Sequence, residues 1–141
     1  MMERRLISFT VGNHRFAVPL DAVREVVNVT KVVPVPGGRR PLEGIFPYRS
    51  NIVLPVFSLL DLLGIQHDER GSLVVVTGSK DDPVGFRVHN MGGVMTSSDS
   101  DDVTPYEGEL ASADGAITGV LKKTGGELIL LDCDRLFDRV P

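Results

Sequence analysis

The sequence is poor in cysteine and in aromatic residues, and both shortages exclude classes of protein. Its 141 residues include one cysteine, Cys133, so no disulfide can form within the chain and a reducing compartment is expected. There is no tryptophan, there are two tyrosines, and the formal net charge is −4. Nucleic-acid binding normally requires a basic excess, together with aromatic side chains when single strands are bound. We therefore expect no nucleic-acid partner.

Long apolar runs are also missing. The first residues, MMERRLISF, include basic side chains and then alternate between apolar and polar types. This pattern lacks the continuous apolar stretch of a signal peptide or of a membrane-spanning helix. We therefore expect a cytoplasmic protein that does not insert into a membrane. The composition, 42% hydrophobic and 24% charged, is nevertheless typical of a domain that buries a core.

The residue types of catalytic and metal sites are present without the spacings that such sites need. The histidines, His14, His67 and His89, show neither i, i+4 nor H-x-E spacing. The chain has no P-loop, no G-x-G-x-x-G and no G-x-S-x-G motif. Cys133 opens a predicted helix, where the helix dipole would lower its pKa, but a half-buried apolar role is favoured. We predict a protein that is not an enzyme and that has no metal and no cofactor.

Short strands bounded by glycine, proline and aspartate make up most of the sequence. The segments 6–12 and 15–20 alternate in polarity around a turn, which predicts a hairpin, and 115–123 and 127–132 predict another. Two short helices are expected. The first follows Ser58 as its N-cap and stops at Gly64, and the second is capped by Asp132.

The two halves of the chain repeat one order of elements: hairpin, strand, long loop, hairpin, short helix. Short, evenly spaced strands favour closed all-β structures over arrangements in which strands and helices alternate. We therefore predict a single domain, 1–141, built from a pair of small barrels. Their approximate bounds are 14–70 and 71–135, and the terminal segments complete either barrel.

Several segments, taken in order, resemble the CheW-like family, the adaptor proteins of bacterial chemosensory arrays. The first hairpin leads to Val23-Arg24-Glu25-Val26, and Gly44 is followed five residues later by Arg49. An apolar strand containing Pro55-Val56 comes next, and LILLD (128–132) closes the set. The resemblance covers about residues 5–138. It implies an all-β fold of two SH3-like five-stranded β-barrel subdomains packed side by side, with short helices, and a non-catalytic role.

The resemblance also implies partners and contact residues. Such adaptors dock onto the regulatory domain of a CheA-type histidine kinase and onto the cytoplasmic tips of chemoreceptors. Receptor contact is expected near the groove between the barrels, at Val23, Glu25, Gly44 and Arg49. Arg49 would hold a partner or pin its hairpin to the other barrel, with Glu25 as a candidate ion-pair partner. A second group of residues should form the core and the partner-facing edge of the first barrel: Ile45, Phe46, Ile52 and Val53.

One departure from the family pattern leaves alternatives open. The family usually places glycine directly after this arginine, whereas here Ser50 and Asn51 follow Arg49. A divergent adaptor of a non-flagellar pathway, such as one that controls pili, would tolerate this change. A small-ligand-binding β-barrel is a further alternative, and it would require a deep apolar pocket with a few polar groups.

Overall fold

Strands account for most of the structure, as the alternating sequence predicts. The computed structural model describes residues 4–29, 31–49, 52–69, 71–78, 82–97, 103–108, 110, 115–123 and 126–137. The strands are β1 (Arg4–Val11), β2 (His14–Pro19), β3 (Glu25–Asn28), β4 (Leu42–Arg49), β5 (Ile52–Ser58), β6 (Leu73–Gly78), β7 (Pro83–Val88), β8 (Asn90–Ser97), β9 (Val103–Thr104), β10 (Ile117–Lys123) and β11 (Gly126–Leu131). The helical elements whose bounds fall within the described residues include a 3-10 turn at Leu20–Ala22 and the α-helices α1 (Leu59–Leu63) and α2 (Cys133–Phe137).

The strands form two sheets. The six-stranded sheet has the order β8-β1-β2-β11-β10-β9, and the five-stranded sheet has the order β3-β6-β7-β5-β4. Both predicted hairpins are confirmed: β1 pairs with β2, placing Phe9 opposite Phe16, and β10 pairs with β11, placing Leu121 opposite Leu128. Strand β9, at the edge of the six-stranded sheet, is only two residues long and was not predicted from the sequence. The prediction of an all-β fold in two parts is therefore confirmed.

Each sheet contains one parallel pair that joins strands distant in sequence. Strand β2 runs parallel to β11, with Phe16 opposite Ile129, and β5 runs parallel to β7, with Phe57 opposite Phe86. As a result, the six-stranded sheet combines segments near both ends of the described chain, and the five-stranded sheet uses the segment between them. The bounds 14–70 and 71–135 do not coincide with the sheets, because β6 and β7 pair with β3 and β5.

The interior contains one large apolar cluster shared by both sheets and a smaller cluster within each. Phe9 and Phe16 of the six-stranded sheet pack in the large cluster, where the ring of Phe9 lies 5.6 Å from that of Phe86 in the five-stranded sheet. The smaller cluster of the five-stranded sheet consists of Val29, Leu54, Val56, Val74 and Val76. That of the six-stranded sheet consists of Leu6, Ala17, Leu121 and Leu128. Burial of the large cluster therefore holds the two sheets together.

The two short helices begin at the predicted capping residues, and α1 ends at the predicted glycine. The side chain of Ser58 accepts a hydrogen bond from the backbone N–H of Asp61 at the start of α1, and Gly64 ends it with φ of 72°. The carboxylate of Asp132 accepts from the backbone N–H of Asp134 at 3.0 Å at the start of α2. Within the described residues, neither helix is long and apolar enough to cross a membrane.

Pro55, for which the sequence suggested an edge or a bulge, lies in β5 just before the residues that pair with β7, so it is paired on the β4 side only. It stands opposite Ile45 of β4. The backbone N–H and C=O of Ile45 bond to Val33 instead, at 2.8 and 2.9 Å. The missing N–H of Pro55 therefore removes no hydrogen bond to β4.

Candidate functional site

The candidate site lies where the two edge strands of the five-stranded sheet meet. Glu25 begins β3 at one edge, and Arg49 ends β4 at the other. The guanidinium of Arg49 donates to the carboxylate of Glu25 and forms an ion pair with it. The sheet therefore curls into a barrel, and this pair ties its edges. The expected pairing of Arg49 with Glu25 is present, but it links two edges of one barrel rather than two barrels.

Tyr48 completes a cluster of three polar side chains. The register between β4 and β5 shifts between Pro47 and Arg49, so Tyr48 is the extra residue of a β-bulge. The Cζ atom of Arg49 lies 4.8 Å from the centre of the Tyr48 ring, and Nη2 of Arg49 donates to the Tyr48 hydroxyl at 3.4 Å. The bulge thus places the Tyr48 ring beneath the guanidinium, and it changes the direction of the next side chain, that of Arg49.

The cluster is open to solvent while its charges are held in place. The side chains of Arg49 and Glu25 are 59% and 34% exposed. Hydrogen bonding from Tyr48, followed by hydrogen bonding from and attraction to Arg49, lowers the pKa of Glu25 below its ordinary value of 4.5, although partial burial acts in the opposite direction. Hydrogen bonds with Tyr48 and Glu25 raise the pKa of Arg49. A partner therefore meets a fixed guanidinium beside an ionised carboxylate.

The Tyr48→Phe variant should raise the pKa of Glu25 towards 4.5, because it removes the largest cause of the lowering. A lowered carboxyl pKa stabilises the fold above the unfolded value, and this contribution is lost as the pH falls through the folded value. Carbon-13 NMR titration of the Glu25 carboxyl measures the change directly. Tyr106→Phe is the matched control, since its hydroxyl accepts from the backbone of Leu110 instead. An unchanged Glu25 pKa in Tyr48→Phe would contradict the assignment.

The other two expected contact residues lie deeper than Arg49. Val23 is half-buried beside the large core cluster, and its N–H bonds to the carbonyl of Leu20 at 3.1 Å. Gly44 is buried in β4, opposite Val56. A Cβ atom at Gly44 would lie 2.7 Å from the carbonyl carbon of Val33 and 2.8 Å from Cγ1 of Val32. Its lack of a side chain therefore lets the segment after β3 approach β4 and close the barrel.

The residues predicted to form the core and the partner-facing edge of the first barrel lie on both faces of the β4–β5 pair. Phe46 stands opposite buried Leu54 and packs against the small barrel cluster. Ile45 stands opposite Pro55, and Val53, which is 52% exposed, stands opposite Pro47. Ile52 is half-buried and stands opposite Arg49.

The outward-facing residues form an apolar strip. Val33, which is 45% exposed, pairs with Ile45 by an isolated bridge and extends the strip across β4. We call this surface the outer strip, and it consists of Val33, Ile45, Pro47, Val53 and Pro55. A patch of exposed apolar residues on a small β protein is suited to binding another protein.

A metal-binding cluster and a reactive thiol were the other features to look for in the described chain. Among these residues, no three histidine, cysteine or acidic side chains lie close enough to hold a metal ion. Cys133 is buried, as the sequence suggested, and burial followed by the repulsion of Asp132 and Asp134 raises the pKa of its thiol to about 12. The favoured apolar role of Cys133 therefore fits the structure, and burial outweighs any effect of the helix dipole.

Cys133 should react very slowly with a disulfide reagent in the folded protein at pH 8, because almost none of the thiol is ionised there and access is blocked. We expect one equivalent of thiol to react with a disulfide reagent in denaturant, and a rate at least a hundredfold slower without it. Free cysteine in the same buffer controls for the reagent. Rapid labelling of the native protein would contradict the assigned burial.

Sequence reasoning found Arg49 and Glu25 but missed three contributors. No sequence signal marks Tyr48, because its position follows from the bulge in β4. Val33 and Pro47 carried no signal, because their faces depend on the bridge to Ile45 and on the bulge at Tyr48.

Comparison with known proteins identifies what this architecture resembles. The chain matches the CheW-like domain family over residues 5–140. Chemotaxis protein CheW from Thermotoga maritima is 28% identical over 142 residues, covering 99% of this chain and 91% of that protein. Chemotaxis protein CheW from Rhizobium meliloti is 29% identical, covering 95% and 87% respectively. The crystal structure of the scaffolding protein TtCheW from Thermoanaerobacter tengcongensis superposes with a TM-score of 0.80 at 18% identity, covering 97% of this chain and 89% of that one. The predicted fold of two SH3-like subdomains is thereby confirmed.

Proposed function

Since this chain belongs to the CheW-like domain family, we propose that it is a non-catalytic adaptor that couples chemoreceptors to a CheA-type histidine kinase in the bacterial cytoplasm. The family and its chemotaxis relatives support a scaffold role. The observation that carries the finer proposal is the presence of two different exposed surfaces on one barrel. One is the ion-paired cluster of Tyr48, Arg49 and Glu25, and the other is the outer strip.

The outer strip suits the kinase. It is uncharged and it crosses β4 and β5, strands that are rigidly paired to each other. A partner domain that covers Val33 and Val53 would remove from water apolar side chains that are 45% and 52% exposed. Burial of such surface supplies affinity without chemistry. We therefore propose that the regulatory domain of the kinase covers the outer strip.

The ion-paired cluster suits the receptor tip. Arg49 presents a planar guanidinium that is supported by the Tyr48 ring and retains free donors beyond its contact with Glu25. Such a group can bind a carboxylate in bidentate geometry or the carbonyl groups at a helix end. Val23 lies two residues before Glu25 and would supply an adjoining apolar contact. We propose that the receptor contacts this cluster.

Titration calorimetry with the purified kinase regulatory domain tests the first contact. The wild-type chain should bind with a micromolar dissociation constant, about −8 kcal/mol. Val53→Asp should weaken binding at least tenfold, because it places a charge in the covered strip. Val103→Asp is the matched control, since Val103 is 51% exposed on the other sheet. No heat of binding at several temperatures with folded protein, or equal losses in both variants, would contradict the kinase assignment.

Arg49→Glu should abolish binding to a receptor-tip fragment while the protein stays folded. The Arg49 side chain is 59% exposed, so its loss leaves no buried charge uncompensated. Arg40→Glu is the matched control, because Arg40 is 57% exposed and is also ion-paired, to Asp61. The double variant Arg49→Glu with Glu25→Arg restores an ion pair without restoring the guanidinium position. Receptor binding by that double variant, or a large fall in melting temperature for Arg49→Glu alone, would assign Arg49 a structural role instead.

A further inference from the structure

One histidine joins three separate segments at the boundary between the two sheets. His89 lies between β7 of the five-stranded sheet and β8 of the six-stranded sheet. Its backbone N–H donates to the carbonyl of Thr10 in β1 at 2.9 Å. Its ring lies between the β1–β2 turn at Gly12 and the loop that follows α1, at Glu69. The contacts of this ring therefore connect the first hairpin to a loop of the other half of the molecule.

The hydrogen bonds of the ring specify its protonation state. The Nδ1 atom accepts a hydrogen bond from the backbone N–H of Gly12 at 2.9 Å. An imidazole nitrogen can accept only when it carries no proton, so the ring is neutral. The proton then resides on Nε2, which lies 2.6 Å from the backbone oxygen of Glu69 and donates to it. Both ring nitrogens are thus used, and only the neutral ring satisfies both contacts.

We propose that His89 is a pH-sensitive clasp that joins the β1–β2 turn to the loop after α1 and that weakens when its ring is protonated. A proton added to Nδ1 would point at the N–H of Gly12, so that two donors would oppose each other. The unfolded chain takes up this proton without losing a hydrogen bond. Stability should therefore fall as the pH falls through the range in which histidines change charge, between about pH 8 and 5.

Neighbouring charged and titratable groups act on the clasp from each element packed against it. The ring of His67 lies 4.5 Å from that of His89. Its Nδ1 accepts a hydrogen bond from the backbone N–H of Glu69 at 3.1 Å and lies 3.0 Å from the same Glu69 carbonyl oxygen. The loop also carries the carboxylates of Asp68 and Glu69.

Charged and titratable groups also lie on β7 and along the first hairpin. Arg87 is neutralised by Glu43. The turn residues Gly12 and Asn13 are uncharged, but His14 follows directly, and its Nδ1 is buried without a hydrogen-bond partner. Protonated His67 would oppose protonation of His89, whereas the two loop carboxylates would favour it.

The amide resonance of Gly12 gives a direct test in the wild-type protein. Proton–nitrogen NMR spectra between pH 8 and 5.5 should show the Gly12 amide proton moving upfield as its acceptor is lost. This shift should follow the same curve as the ring carbon resonances of His89. A Gly12 resonance that stays fixed while the His89 ring titrates would overturn the proposal, and no variant is needed for this result.

Stability measurements on variants then assign the effect to one ring. The equilibrium constant for unfolding of the wild type should rise between pH 7.5 and 5.5. His89→Asn should remove most of this dependence, because the amide oxygen can accept from Gly12 and does not titrate. His14→Gln and His67→Gln should both retain the dependence. Equal dependence in His89→Asn and the wild type, or its loss in either glutamine variant, would show that another histidine is responsible.

Discussion

The Gly44→Ala variant should lose about 3 kcal/mol of stability or more, enough to unfold a large share of a marginally stable domain. Two costs act at this position. Gly44 has φ of +155°, which other residues rarely adopt. Its added Cβ would also overlap the carbonyl carbon of Val33, a backbone atom that cannot move without breaking the bridge to Ile45. Chemical denaturation followed by circular dichroism measures the loss.

Two other glycines separate the contributions of strain and overlap. Gly37 has φ of +77° and no atom within 4 Å of a Cβ built there, so Gly37→Ala measures backbone strain alone and should cost about 1 kcal/mol. Gly93 has equally open space and no unusual φ, so Gly93→Ala should change stability by less than about 0.5 kcal/mol. If Gly44→Ala costs no more than Gly37→Ala, the close approach of Val33 is not what requires glycine.

Glu43→Ala should lose about 3–5 kcal/mol, because it leaves the buried guanidinium of Arg87 without its counter-charge. The Nε atom of Arg87 donates to the Glu43 carboxylate at 2.8 Å, and the two side chains are only 14% and 9% exposed. A second guanidinium nitrogen of Arg87, Nη1, donates to the carbonyl of Gly71 at 3.0 Å. The pair crosses strand β5, which separates β4 from β7. Its removal therefore loosens two strands that share no backbone hydrogen bonds.

A double variant tests whether the buried charge is the cause. Arg87→Met alone should also destabilise, but Glu43→Leu with Arg87→Met should cost far less than the sum of the single changes, because no unpaired charge remains. Asp61→Asn removes one partner of the exposed Arg40–Asp61 pair and should cost less than about 1 kcal/mol. Additive losses in the double variant would mean that packing, rather than charge, gives Glu43 and Arg87 their effect.

Local features of the fold could be predicted because their causes lie within a few residues. The hairpin around Gly12, the cap at Ser58 and the stop at Gly64 depend on near neighbours, and all three are confirmed. The parallel pair of β2 and β11 could not be predicted in this way. Phe16 and Ile129 are 113 residues apart (129 − 16 = 113), and alternation within each strand does not specify which distant strand it joins.

The site was only partly predictable, because β4 contains two bulges. The register shifts between Leu42 and Gly44 and again between Pro47 and Arg49, so Glu43 and Tyr48 are the extra residues. Each bulge reverses the inward and outward alternation that sequence reasoning relies on. Each extra residue also joins a charged contact, Glu43 with Arg87 and Tyr48 with Arg49. Alternation alone therefore could not assign the faces of the residues between them.

The parallel pairing of β2 with β11 also has a consequence for synthesis of the chain on the ribosome. Strand β2, complete by residue 19, cannot obtain its second neighbour until residues 126–131 have been made. The five-stranded sheet needs only residues 25–88 and can form earlier. Until β11 arrives, β2 has an unpaired backbone edge, which can join a strand of another chain. We therefore expect six-stranded sheet formation to be the late step of folding and the one most sensitive to crowding by other nascent chains.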